Sequence, residues 1–436
     1  MKCDACGLES ARAEIFRTVP GSFGRKSRTL CPACHGKRDD KVYVFLFRFF
    51  VVVAISAFLL TFIFPNATIG PGLLNVVVLQ LFVFAETLLH ELGHALAAQL
   101  AGFRVFRIEI GRGRIVREFM RWGFRWQFRA MPFGGCAYGA PRDSHAYRWR
   151  ESAFILGGPL VNALLLVGAV AALPLQRSLQ VGAMAEFAPV TMLILSNAMM
   201  LLYSLWPHYF ESGAGKLASD GLLLWQTWRR PQSENAQMPS LYYFLESQEC
   251  RDAGRFDEAQ KWVKDGLEKF PRSYVLEMMQ GVNLLDLKEY REARHAFILL
   301  LGRYSKVESI RCTLLNDIAW AGVLTGEAEL LAEADACSRM ALERMPWVVY
   351  FKGTRGSVLT ELGNYEDALK LLHDALKNSP EKSGQALNAC YIGIAEARRG
   401  HLDESRNYFS VARTLDPLCV LLDREPAAIS SLSPNQ

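Results

Sequence analysis

Hydrophobic and polar positions divide the chain into blocks of different period. Val42 to Phe64 is a 23-residue apolar run with one charge, Arg48, near its start, where a long side chain can snorkel. A second run, from Leu73 to Leu100, ends at Ala101-Gly102. A third covers about Ser152 to Leu173 and a fourth about Phe187 to Trp206. Their lengths predict four transmembrane helices. Between the second and third the period shortens to two. Arg104–Gly111 and Phe124–Arg129 alternate polar with apolar, which predicts a small β-hairpin at the membrane interface. Met131–Tyr138 follows as a glycine-rich turn and extended piece. Such an edge can pair with an unwound strand by main-chain hydrogen bonds.

Beyond a polar linker at residues 231–239, helical periodicity takes over and the sequence begins to repeat. Gly254-Arg255-Phe256-Asp257-Glu258-Ala259 returns as Lys288-Glu289-Tyr290-Arg291-Glu292-Ala293, then as Gly363-Asn364-Tyr365-Glu366-Asp367-Ala368 and Gly400-His401-Leu402-Asp403-Glu404-Ser405. Gly326-Glu327 is a weaker member, and Pro271, Pro346, Pro380 and Pro417 keep the phase. A turn glycine, an aromatic and a small residue where two helices touch resemble tetratricopeptide repeats. Four or five units are enough to share one core, and the resemblance implies a concave face for a protein or peptide partner.

Charge sharpens the topology. A mean hydropathy of +0.09 hides two unlike halves. Residues 1–230 carry 25 Lys and Arg against 14 Asp and Glu, and the remainder 24 against 30. The basic residues cluster before the first run, in Arg104–Arg129 (eight Arg) and in Arg142–Arg150, whereas the loop at 65–71 has none. The positive-inside rule then predicts an integral membrane protein of the cell membrane with both termini cytoplasmic. The first 40 residues lack an apolar core, so no signal peptide is expected.

Ten cysteines over 436 residues do not make a disulfide scaffold. Four of them pair as Cys3-x-x-Cys6 and Cys31-x-x-Cys34, with Gly7 and Gly36 just beyond. Short strands are expected at Glu14–Arg17 and Arg28–Leu30. The arrangement resembles a zinc ribbon, with four thiolates on one structural Zn²⁺ supplying the staple that so short a segment needs. Zinc ribbons bind nucleic acid or protein, and nothing in the sequence chooses between them.

The candidate chemistry lies inside the second apolar run. His90 and His94 are four residues apart, so on a helix their rings share one face, about 6 Å apart at Cβ. Two neutral imidazoles so placed can hold one Zn²⁺, with Glu91 able to reach a water on it. Ionisable groups within a membrane span cost about 2.5–3.5 kcal/mol each on insertion scales and mark a functional site. Glu86, His90, Glu91 and His94 are four in one span. Glu86, one turn before His90, is expected beside the metal rather than on it. Two imidazoles leave the ion short of a protein ligand, and Glu211 and Asp220 are the acids on the appropriate membrane side.

Together these motifs resemble the site-2 protease family of intramembrane metalloproteases over roughly residues 70–225. The matching residues are His90-Glu91-Leu92-Gly93-His94, Pro132-Phe133-Gly134-Gly135, Gly157-Gly158-Pro159-Leu160-Val161-Asn162 and Ser219-Asp220-Gly221. The resemblance implies a catalytic zinc on His90, His94 and Asp220, Glu91 as general base and Asn162 near the substrate carbonyl. The chain departs from the family at Ser204-Leu205-Trp206-Pro207, where Asn-x-x-Pro is usual. Thirteen positions, with the insert Ser212-Gly213-Ala214-Gly215, then separate Pro207 from Asp220.

The expected fold is mostly α. A zinc ribbon (1–40) precedes a polytopic membrane metalloprotease domain of about four spans with its interfacial hairpin (41–230), and an α-solenoid (231–436) follows. The expected function is hydrolysis of membrane-tethered protein substrates, with the repeats as a docking platform. The alternative is a catalytically inactive membrane-anchored scaffold. A transporter fits poorly, since four spans show no inverted repeat.

Overall fold

The computed structural model describes residues 17–19, 28–30, 45, 48–56, 58–60, 63, 69–172, 187–212, 215–379, 381–425 and 427. Cys3, Cys6, Cys31 and Cys34 lie outside them. Of the expected zinc ribbon, only the antiparallel pair β1 (Arg17–Val19) and β2 (Arg28–Leu30) is described. The chain divides into two units, residues 34–245 and residues 246–436 together with 1–33.

In the first unit, α1 (Ile69–Leu100) and α2 (Tyr147–Ala172) are long and apolar enough to cross a membrane. At 1.5 Å per residue, α1 reaches about 48 Å and α2 about 39 Å. α3 (Pro189–Leu205) is apolar but has 17 residues, at the lower limit for a crossing helix. Residues 48–60, inside the first expected span, are helical wherever described. α1 and α2 meet at glycine. A Cβ on Gly93 would stand 2.5 Å from the Gly157 carbonyl oxygen, so the backbones approach as only small residues permit. Leu96, Leu160, Leu164 and Val167 point outward and exposed, an apolar surface suited to lipid.

Between α1 and α2 runs a hairpin longer than expected, β3 (Phe103–Arg121) and β4 (Phe124–Pro141). Trp122 and Gly123 make its two-residue turn with φ of +57° and +81°, the left-handed pair that a tight hairpin needs. The ribbon doubles back on itself. Residues 103–110 pair with 135–141, residues 115–121 with 124–129, and residues 107–110 also lie beside 125–128. The segment read as a glycine-rich turn and extended piece is extended throughout within β4, and its residues 135–141 form an outer edge. Phe103, Val105, Ile108 and Ile110 pack with Trp126 against Ala95 and Ala98 of α1. The sheet is thus seated on the helix that carries the histidines.

The second unit stacks antiparallel helix pairs, 274–286 with 290–304, 308–325 with 328–344, 349–361 with 365–378, and 382–398 with 402–415, and helix 256–269 packs on the first of them. Left-handed residues stand at the turns, at Gly254 before helix 256–269 and at Lys288, Gly326, Gly363 and Gly400 within the pairs, 34, 38, 37 and 37 positions apart. These are the turn positions that the repeated motif marks. Phe297, Leu314, Phe351, Leu372, Tyr391 and Phe409 form a continuous buried core through the later repeats.

Candidate metal centre

α1 carries both histidines facing α2. His90 Nδ1 donates to Asn162 Oδ1 at 2.6 Å, and His94 Nδ1 donates to the Phe154 carbonyl oxygen at 2.9 Å. A carbonyl oxygen can only accept, so each proton sits on Nδ1 and each Nε2 presents a lone pair; at His94 the Phe154 carbonyl at 2.9 Å outweighs the Gly158 N–H, which points at the same Nδ1 from 3.3 Å. These lone pairs face each other at 3.1 Å. Asp220 closes the set, its Oδ2 lying 3.2 Å from His90 Nε2 and its Oδ1 3.5 Å from His94 Nε2. Two lone pairs and a carboxylate crowded within 4.8 Å repel one another unless a cation lies between them. The donor set fits zinc.

Gly158 makes room for it. A Cβ there would overlap His94 Nε2 and stand 2.6 Å from His90 Nε2, the two atoms that face the ion. Glu91, 5 % exposed, lies beside the sheet edge, where its carboxylate accepts from the Ala137 backbone N–H. A Cβ on Gly135 would stand 2.7 Å from Glu91 Oε1, so only glycine lets this strand come so near the carboxylate. His90, Glu91 and His94 are all buried, in surroundings that strengthen electrostatic interactions.

Asp220 reaches the histidines because the insert cancels itself in space. β5 (Tyr209–Ser212) and β6 (Gly215–Ala218) form a closed hairpin, with Tyr209 opposite Ala218. Its base is clamped. Ser219 N donates to His208 O at 2.9 Å, His208 N donates to Ser219 Oγ at 3.1 Å, and Ser219 Oγ donates to Trp206 O at 2.7 Å. The same hydroxyl caps α4 (Asp220–Arg229). A side chain at Gly221 would overlap the Leu205 carbonyl, so α4 starts directly against the end of α3. Of the two acids weighed as third ligand, Asp220 is the one brought to the imidazoles, while the backbone of Glu211 runs in β5.

Asn162, expected near a substrate carbonyl, is fully buried with both ends of its amide engaged, one on His90 and the other on Asn197 Oδ1 at 3.1 Å. Sequence reasoning missed Ser196 and Asn197, which hold Glu86. Ser196 Oγ donates to Glu86 Oε1 at 2.5 Å and Asn197 Nδ2 donates to it at 2.6 Å. The signal was available, since a polar pair in the middle of an apolar helix carries the cost that singled out the acids of α1.

Buried imidazoles and an aspartate thus converge beside apolar helices, with a glutamate one residue from the first histidine. The model of peptidase family M50, the site-2 protease family of zinc-dependent membrane proteases, matches residues 78–389, and the chain belongs to that family. No curated protein matches the chain. Among solved structures, a thermophilic TPR protein of Thermus thermophilus is 18% identical with a TM-score of 0.36, over 44% of this chain and 99% of its own. MamA from Desulfovibrio magneticus is 15% identical with a TM-score of 0.28, over 41% of this chain and 95% of its own.

Proposed function

We propose that the protein is an intramembrane zinc endopeptidase acting on membrane-tethered protein substrates. The observation that carries this reading is the convergence of His90 Nε2, His94 Nε2 and the Asp220 carboxylate on one point, with Glu91 beside them. Zinc held by those three side chains supplies Lewis-acid polarisation of a carbonyl and a bound water that ionises near neutral pH. Glu91 is the general base. Its carboxylate takes a proton from the attacking water and returns it to the leaving amine. The Ala137 N–H orients that carboxylate, and Gly135 allows the strand to close over it. Asn162 acts from behind the metal, holding His90 through Oδ1 while one of its two amide N–H bonds donates to Asn197.

A transmembrane substrate keeps its amides in helical hydrogen bonds, so the scissile segment must unwind before attack. The outer edge of β4 at residues 135–141, next to Glu91, offers an unwound segment main-chain partners. Both termini face the cytoplasm in this reading, the four amino-terminal cysteines hold a structural zinc, and the repeats dock a protein partner or substrate tail. The place of Asp220 beside both imidazoles supports the enzyme over the inactive scaffold.

Cleavage of a tethered transmembrane reporter by full-length protein in membranes tests the proposal. Glu91→Gln should lower the rate by about 10²–10⁴-fold, the usual worth of a general base, with membrane insertion unchanged. Undiminished cleavage by that variant overturns the mechanism.

A further inference from the structure

Glu86 is 2 % exposed and sits one helical turn before His90, too far round the site to join the ligand set. Its Oε1 accepts from Ser196 Oγ and from Asn197 Nδ2, while Oε2 has no partner among the described residues. An unsatisfied buried oxygen costs stability, and an apolar residue would pack there without that cost. What Glu86 supplies in return is legible in the hydrogen bonds that lead away from it.

The two N–H bonds of the Asn197 amide point at Glu86 Oε1, at 2.6 Å, and at the Leu193 carbonyl oxygen, at 2.9 Å. Both are acceptors, and Oε1 accepts whether or not Oε2 carries a proton. The nitrogen of Asn197 must therefore face Glu86, which turns its Oδ1 toward Asn162. Asn162 Nδ2 donates to that oxygen at 3.1 Å, leaving Asn162 Oδ1 to face His90 Nδ1 at 2.6 Å. An amide oxygen only accepts, so His90 Nδ1 must carry the proton and Nε2 must keep its lone pair for the ion. Reversing the chain would set donor against donor or acceptor against acceptor at a joint where Asn162 and Asn197 are both fully buried.

We propose that Glu86 is a positioning residue that fixes the metal-binding tautomer of His90 through the side-chain amides of Asn197 and Asn162. This inference rests on the zinc-site reading above. It extends the familiar pairing of a carboxylate with a metal-bound histidine by two amide links, so that the acid acts without touching the ring. The Glu86 carboxylate is turned to Ser196 and Asn197, and His90 Nδ1 is taken by Asn162. The neighbouring helices α2 and α3 supply the missing links.

Zinc affinity measured by chelator competition on the full chain in detergent, in a Cys31→Ser/Cys34→Ser background, tests this. Glu86→Leu should weaken binding by roughly 10–100-fold, the usual effect of losing a partner behind a ligand. Asn197→Leu, which cuts the same path nearer the metal, should match it. Glu86→Gln keeps an acceptor oxygen and should lie closer to wild type. Ser196→Ala removes a bond to Glu86 without breaking the path and should bind zinc normally. In the cobalt-substituted protein, Glu86→Leu and Asn197→Leu should shift the visible absorption bands, while Ser196→Ala should not.

Wild-type affinity in Glu86→Leu, or equal losses in Ser196→Ala and Glu86→Leu, overturns the proposal, the second outcome reducing Glu86 to a brace between helices. Absence of zinc from the wild-type site would instead overturn the metal-site reading itself, so the two failures are told apart.

Discussion

Both units of the molecule use glycine to bring groups close, and they fill the space so gained with opposite things. In the repeats, a Cβ on Gly356 would stand 2.6 Å from Leu372 Cγ, and one on Gly393 would stand 2.9 Å from the Phe409 ring. The missing side chain there admits a hydrophobic one, and the gain is core packing. In the membrane unit, the missing side chains at Gly158 and Gly135 admit imidazole nitrogens and a carboxylate. The repeats hold charges in partly exposed pairs such as Arg251–Asp286 and Arg294–Glu333. In the membrane unit the outward faces of α1 and α2 are apolar, and the imidazoles and Glu91 lie buried between them and the sheet. The same backbone device admits core side chains in one unit and polar groups in the other.

That contrast can be broken deliberately. The largest effect is expected at Gly158. Gly158→Ala places a methyl against both ligating nitrogens and should abolish zinc binding at this site, read as the metal content of purified full-length protein. Gly168→Ala in the same helix, with nothing within 4 Å of the added carbon, should leave the metal in place. Equal zinc content in the two variants would remove the distinction between a packing glycine and a site glycine.

A large but differently placed effect is expected in the repeats. Phe297 is fully buried, and Phe297→Ala should cost about 3–5 kcal/mol of repeat stability, seen in chemical denaturation. Zinc content at the His90 site should not change, because His90, His94 and Asp220 all lie in the other unit. Simultaneous loss of both would show the units to be coupled.

The smallest effect concerns the half-buried Asp317. Burial pushes its carboxyl from 3.8 up to about 7, against a hydrogen bond from Asn316 Nδ2 at 3.1 Å that favours the ionised form. The folded repeats keep this proton to near pH 7, whereas the unfolded chain releases it near 3.8. Stability contributed by this residue is therefore present at low pH and lost as the pH rises between those values, with no further change above. Repeat stability followed across that window should fall in the wild type, and Asp317→Asn should flatten its share of the slope.

Much of this was legible in the sequence where chemistry forces a spacing. His90, Glu91 and His94 declare themselves because a helix puts residues four apart on one face, and the repeat turns do so because left-handed backbone favours glycine. Lys288 takes that conformation without being glycine, with φ of +64°, and its place was found only through the surrounding motif. The doubling of the β3–β4 ribbon was not legible, because alternation fixes which face is buried but not which strands become neighbours. Nor were the partners of Asn162. These lie on α1 and α3, distant in sequence, and only the packed helices show that its amide is already engaged.

The clamped base of the β5–β6 hairpin has a consequence for how such chains are recognised. Because His208 and Ser219 join across it, the number of residues in the protruding tab has no bearing on where the aspartate lands. A hairpin closed in this way can be longer or shorter without moving Asp220, and a search keyed to a fixed interval before Asp-Gly would pass over two imidazoles and a carboxylate that stand together.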